Sequence, residues 1–285
     1  MRLALNAAVA VSASLPFMPA SLAAQRDTTP ASQRDRGPGI ATSMFGTYIR
    51  PGELLVYPFI ECYHDHNFEY DPLELGYGLD RDFRGRYRAT EGLLFLGYGL
   101  NDWLAVELEA AVISARLDKA PGDPSALPAR LEQSGVGDVE GQVRFRMQRE
   151  AGRRPEIFGY FESAAPVQTR KLLIGTPDWE FKLGAGFSRG YRWGTLTFRL
   201  AAEYGLEEDK PELGEYALEY LRRLSPSWRV YAGIEGSQDE VELITEAQWR
   251  LARWATLKLN NALGITSKAT DWAPEVGVMF SIPLR

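Results

Sequence analysis

From Gly52 to Pro283 the chain alternates polar and apolar residues in roughly a dozen stretches, separated by turns and charged loops. Asp178-Trp179-Glu180-Phe181-Lys182-Leu183 and Val241-Glu242-Leu243-Ile244-Thr245-Glu246-Ala247-Gln248-Trp249-Arg250-Leu251 show the rule. Period-2 alternation sends one set of side chains to each face of a strand. A water-soluble sheet buries the apolar set, whereas a membrane barrel turns it to lipid and keeps the polar set in the lumen. No second apolar layer is available to cover a soluble sheet, so the inverted arrangement fits. The expected fold is all-β, a transmembrane antiparallel up-and-down β-barrel of about 12 strands.

The start of the chain fits that destination. Met1-Arg2, the apolar run from Leu3 to Leu15 and the small residues around Ser21-Leu22-Ala23 read as a signal peptide over 1–23, cut after Ala23. Its apolar core is too short to span a bilayer, and Pro16 and Pro19 break it. Residues 24–51 are expected as a periplasmic lead-in, polar and Pro/Gly-rich from Gln25 to Gly39 and mobile there. Ile40 to Ile49 is expected as a short helix or packed under the barrel mouth. Residues 52–285 form the barrel. The expected location is the outer membrane of a Gram-negative bacterium.

The strands are expected over 52–64, 84–98, 103–117, 135–148, 155–166, 177–190, 195–206, 213–224, 229–237, 241–252, 256–267 and 272–283. Short connections at 99–102, 149–154, 191–194, 225–228 and 253–255 alternate with longer ones at 65–83, 118–134 and 167–176. In bacterial barrels short turns face the periplasm and long loops face outward. Trp103, Trp193, Trp228 and Trp254 each sit in or beside a short turn. An amphipathic indole favours the headgroup layer, so these four are expected to form a membrane-interface girdle.

Phase assignment then gives the lumen. Val139, Val143, Phe145 and Met147 point to lipid, and Asp138, Glu140, Gln142, Arg144 and Arg146 point inward. On 195–206 the inward set is Thr197, Arg199 and Glu203. The same division places Glu107, Glu109, Glu180, Lys182, Glu215, Glu219, Glu242, Glu246, Arg250, Lys258 and Glu275 inside. Acids outnumber bases there, and the whole chain carries a formal charge of -6. Such charges must pair or stand in water, and the surplus favours cations or neutral solutes over anions. Arg84, Arg86 and Arg88 share a face with Leu94 and Leu96, so that charged part should lie beyond the bilayer. The acidic balance also argues against a nucleic-acid partner.

Little in the chain points to catalysis. Cys62 is the sole cysteine, which excludes an internal disulfide. Cys62, His64 and His66 would share one face of a strand and form the one weak candidate for a metal site. A hydrolase centred on His64 or His66 would need a nucleophile beside the imidazole, and the residues that follow them, Asp65-His66 and Asn67-Phe68, do not give the His-x-Ser arrangement of the outer-membrane phospholipases. No cofactor and no enzymatic activity are expected.

Three segments carry a family resemblance: Gly52-Glu53-Leu54-Leu55-Val56-Tyr57-Pro58, Gly99-Leu100-Asn101-Asp102-Trp103 and Gly135-Val136-Gly137-Asp138-Val139. Together they resemble the outer-membrane transporters grouped with the MetA pathway of phenol degradation. That resemblance implies a barrel moving small organic, often aromatic, compounds. The expected function is therefore a channel or transporter for passive uptake of such solutes. The alternatives are a non-conducting scaffold barrel, its lumen sealed by Arg144, Arg146, Arg199, Lys182 and their acidic partners, and the surface hydrolase. The expected partners are outer-membrane lipid and lipopolysaccharide, the barrel-assembly machinery and a small organic solute.

Overall fold

The computed structural model describes residues 30–206, 210–238 and 240–284; the expected leader lies outside them. A one-turn helix α1 (Ala31–Arg34) is followed by two short paired strands, β1 (Ile40–Ala41) and β2 (Tyr48–Ile49). Twelve strands then run in chain order: β3 (Glu53–Tyr70), β4 (Phe83–Gly99), β5 (Leu104–Asp118), β6 (Arg130–Gln148), β7 (Glu156–Ala165), β8 (Glu180–Tyr191), β9 (Gly194–Gly205), β10 (Lys210–Arg223), β11 (Trp228–Ser237), β12 (Glu240–Ala252), β13 (Ala255–Gly264) and β14 (Trp272–Pro283). Each pairs antiparallel with its chain neighbour, and β14 closes on β3 through Val276↔Ile60 and Phe280↔Val56. Closure leaves no unpaired sheet edge, which a strand must avoid in hydrocarbon.

The period-2 reading fixes both faces. Leu183 and Leu200 are 62 % and 47 % exposed on the outside, with Leu108, Val143, Ile234 and Leu259 around the same wall. The next residue along each strand turns inward: Arg144 after Val143 is fully buried, as is Arg199 before Leu200. A continuous apolar outer surface is unfavourable in water and favourable in lipid. The protein is an outer-membrane β-barrel.

At the short-turn end Trp193 stacks between Tyr191 and Tyr220, with ring centroids 4.9 and 5.9 Å away. Trp228 stacks on Trp249 and Trp254 on Phe280. Trp103 is exposed at the same end. Aromatic rings gathered at one end of the wall are the arrangement that an interface girdle requires.

Two features differ from the sequence expectation. β3 continues to Tyr70 and β6 begins at Arg130, so β3–β6 have 15 to 19 residues against 10 to 14 in the other strands. The extra length is supported from inside, where Leu127, Leu173 and Ile174 from the long loops pack on Tyr70, Leu117 and Leu131.

The second difference is larger. Within the described residues, 30–51 does not hang below the barrel. It enters the lumen at the short-turn end, turns back through the β1–β2 hairpin and rejoins the wall at β3. Ile40 and Ile49 are 1 % and 0 % exposed and pack on Leu55, Tyr57, Phe59 and Phe95 of the inner wall. Gly46, with φ +56°, makes the left-handed turn that the hairpin tip requires. Gly99 lets the segment leave, because a Cβ there would run into the Arg50 carbonyl.

Candidate functional site

The lumen has two halves of different construction. In the half nearer the short turns, inward cations meet the backbone of the N-terminal hairpin. Arg144 Nη1 donates to Ala41 O (3.0 Å), and the guanidinium lies over the Tyr160 ring (4.8 Å) with Glu107 at 3.4 Å. Arg146 donates to the carbonyls of Pro38, Gly39 and Asp102 and pairs with Glu156 (3.0 Å). Lys258 Nζ donates to Phe45 O (3.1 Å) and Thr47 Oγ1 (3.2 Å) and pairs with Glu246 (3.0 Å). From the hairpin, Ser43 N and Oγ donate to Glu107 Oε2 (2.9 and 2.7 Å), and Arg36 pairs with Glu150 and Glu156. Buried charges persist only when paired and hydrogen-bonded, and hairpin carbonyls supply much of what these cations need.

Above the hairpin lies a cavity of about 580 Å³ floored by Met44 and Phe45. Among the described residues its lining carries ten carboxylates and two lysines, Lys182 and Lys258. Their placement follows from strand register. Glu275, Glu61 and Glu91 stand directly opposite one another on β14, β3 and β4, and Glu109 faces Glu140 across β5 and β6. Like charges directly opposite destabilise a sheet unless water or a cation separates them. On β7–β11 the acids share fewer cations: Arg199 reaches Glu215, Glu219 and Glu235 at 2.5, 2.5 and 3.0 Å, and Lys182 reaches Glu162 at 2.9 Å. Phe59, Leu93, Ile113, Ile174 and Ile244 add apolar patches to the same lining.

The expected lumen residues thus separate into groups. Glu140, Lys182, Glu242 and Lys258 line the cavity. Glu203 stands directly opposite Lys182 and Glu180 opposite Gly205, both on inward register near the long loops. Arg144 and Glu246 are sealed under the hairpin, not washed by a pore. Arg250 has inward register but emerges exposed at the short-turn end. Cys62, His64 and His66 share the outward face; the His64 ring lies tilted against Trp272 (5.2 Å) and His66 Nδ1 lies 3.0 Å from Asp271. Among the described residues no group of three His, Cys, Asp or Glu is placed to hold a metal, and neither histidine hydrogen-bonds a hydroxyl or thiol that could act as nucleophile.

Sequence reasoning missed Glu61, Glu91 and Glu235. The inward face of β3 and β4 reads Tyr57, Phe59, Glu61, Tyr63 and Glu91, Leu93, Phe95, so its few acids were masked by apolar neighbours on both faces. The even spacing of Glu61 from Tyr57 and of Glu91 from Phe95 was the usable signal.

No protein-family model matches the chain, and no curated protein matches it in sequence. Solved structures do match in shape. The COG4313 outer membrane channel from Pseudomonas putida F1 is similar with TM-score 0.61 and 14 % identity, covering 82 % of this chain and 97 % of that one. The translocator domain of the autotransporter NalP from Neisseria meningitidis is similar with TM-score 0.51 and 11 % identity, covering 80 % and 88 %. At these identities the likeness is one of fold.

Proposed function

We propose that the chain is an outer-membrane channel for small organic solutes, taken in from the long-loop side, with cations favoured over anions and an apolar body tolerated. The observation that carries this is the cavity, where the Glu275–Glu61–Glu91 row and the Glu109–Glu140 pair are interleaved with Phe59, Leu93 and Ile113 on the same strands. Ionised carboxylates in such rows require hydration or a counter-cation, and on this reading the cavity is a wet, negatively biased compartment with apolar patches between the acids. The fold likeness to a protein described as an outer membrane channel agrees with this reading. The hairpin closes the short-turn half, so on this reading a solute passes only when the hairpin undocks.

The sealed inner half favours a second reading, a barrel without throughput. Reconstituted vesicles separate the two. Benzyltrimethylammonium and benzenesulfonate share a ring and differ in charge, and both cross bare bilayers slowly. The channel reading expects the cation to enter protein-containing vesicles several-fold faster than the anion. Equal or faster anion entry overturns the selectivity, and entry of neither solute establishes the closed barrel.

A further inference from the structure

The outer wall of the tall sector carries a basic surface that the lumen does not explain. His64, Arg88, Arg116 and Glu132 stand directly opposite one another on β3, β4, β5 and β6. One step higher, Arg86, Asp118 and Arg130 form a second cross-strand row. All share the outward face with Leu54, Tyr98 and Val106, which lie on the same strands in unbroken register. Among the described residues, the outward positions of β7–β14 at that end carry no lysine or arginine; Phe181, Tyr204, Ile234, Leu263 and Trp272 occupy them.

The height of the rows is informative. Arg88 is ten residues beyond Tyr98, and Arg116 ten beyond Val106. At about 3.4 Å per residue and a tilt near 40°, that places both guanidiniums about 26 Å above the interface aromatics, against an apolar band about 25 Å tall. They sit where hydrocarbon gives way to phosphorylated headgroups.

The pairing within the rows is incomplete. Arg116 and Arg130 share Asp118 at 2.9 Å each, and their hydrogen bonds hold that carboxyl down at about 2. Arg84 pairs with Glu69 (2.7 Å). Arg86 and Arg88 make no ion pair or side-chain hydrogen bond among the described residues. Arg88 also stands directly opposite Arg116, a like-charge pair that costs stability unless an anion bridges it. Arginine is suited to that task because its planar fork binds phosphate through two donors at once.

We propose that the outward faces of β3–β6 form a binding site for the phosphate groups of the phosphorylated glycolipid of the outer leaflet, with Arg88 and Arg116 clamping one phosphate and Arg86 and Arg130 flanking it above. The glycolipid is favoured over a phospholipid because the row lies on the long-loop side, at outer-leaflet height, and spans four strands. The site anchors the tall sector against the leaflet and fixes the depth of the barrel.

Native mass spectrometry of the detergent-solubilised full chain tests this with three probes: bisphosphorylated lipid A, lipid A stripped of phosphate, and phosphatidylglycerol. The wild type should retain bisphosphorylated lipid A about tenfold or more tightly than the other two, and Arg88→Gln/Arg116→Gln should lose about tenfold or more, as expected for two charge-assisted contacts. Arg222→Gln, an outward arginine at the opposite rim, should bind as the wild type does. Heat-modifiable migration on gels reports folding, and if the double variant fails to fold, the phosphate dependence of the wild type still decides. Equal retention of the stripped lipid, equal retention by the folded double variant, or phosphatidylglycerol held as tightly as lipid A each overturns the proposal.

Discussion

Replacing Ile40 and Ile49 by alanine isolates the hairpin's own stability from that of the barrel. Both side chains are almost fully excluded from solvent and pack with Leu55, Tyr57, Phe59 and Phe95 of the adjacent strands β3 and β4. A buried Ile→Ala change costs about 2–5 kcal/mol through lost transfer energy and the cavity left behind. The wall strands keep their backbone ladders, so the cost falls on docking of residues 40–49. With about 1.4 kcal/mol per tenfold, even one substitution at the low end opens the hairpin about 30-fold more often. Hydrogen exchange on protein in lipid nanodiscs reads this directly at the amides of Thr42 and Thr47, which bond to Thr47 O and Met44 O at 3.1 Å each. These amides should exchange at least about 30-fold faster in Ile49→Ala, while amides of β9 and β12 stay protected. Unchanged exchange at Thr42 and Thr47 would refute the docked hairpin, and a parallel loss of protection throughout the wall would refute its independence.

Other perturbations follow from the same geometry. Leu200→Arg should destabilise folding into lipid vesicles by about 2–4 kcal/mol if it lies near mid-membrane, and folding as stable as wild type would place the residue out of phase. Glu246→Ala should cost about 3–5 kcal/mol in the same titration, because it strands the buried Lys258 ammonium; a negligible effect would mean that water reaches this pair. A protease-cleavable tag at 120–127 of intact cells should be cut from outside and one at 150–153 protected, since loop length alternates as in outer-membrane barrels. Reversed accessibility would invert the topology.

The wall was legible in the sequence because a strand exposed to lipid must keep strict period 2, and residues such as Arg144 beside Val143 or Arg199 beside Leu200 leave no ambiguity of phase. Arg84, Arg86 and Arg88 were also readable as a charged outward end of one wall strand. The hairpin was not. Its docking depends on the carbonyls of Pro38, Gly39, Ala41 and Phe45, which any residue type supplies, and on wall partners as far away as Lys258. For the same reason Arg144 and Glu246 read as water-facing pore residues when they are partners of a buried segment. The apolar inner surface of β3 and β4 was hidden too, because Leu93-Leu94-Phe95-Leu96 is apolar on both faces and alternation vanishes there.

Reversal potential under a salt gradient, recorded in planar bilayers with the hairpin free and then locked, tests the account most directly. Ser43→Cys/Glu107→Cys in a Cys62→Ser background joins positions whose native side chains are hydrogen-bonded at 2.7 Å. The reduced form should pass a small current with a cation-selective reversal potential, weakened by Glu109→Gln/Glu140→Gln, and oxidation should abolish that current. A current that ignores the lock, or an anion-selective potential from the intact carboxylate rows, would contradict the account.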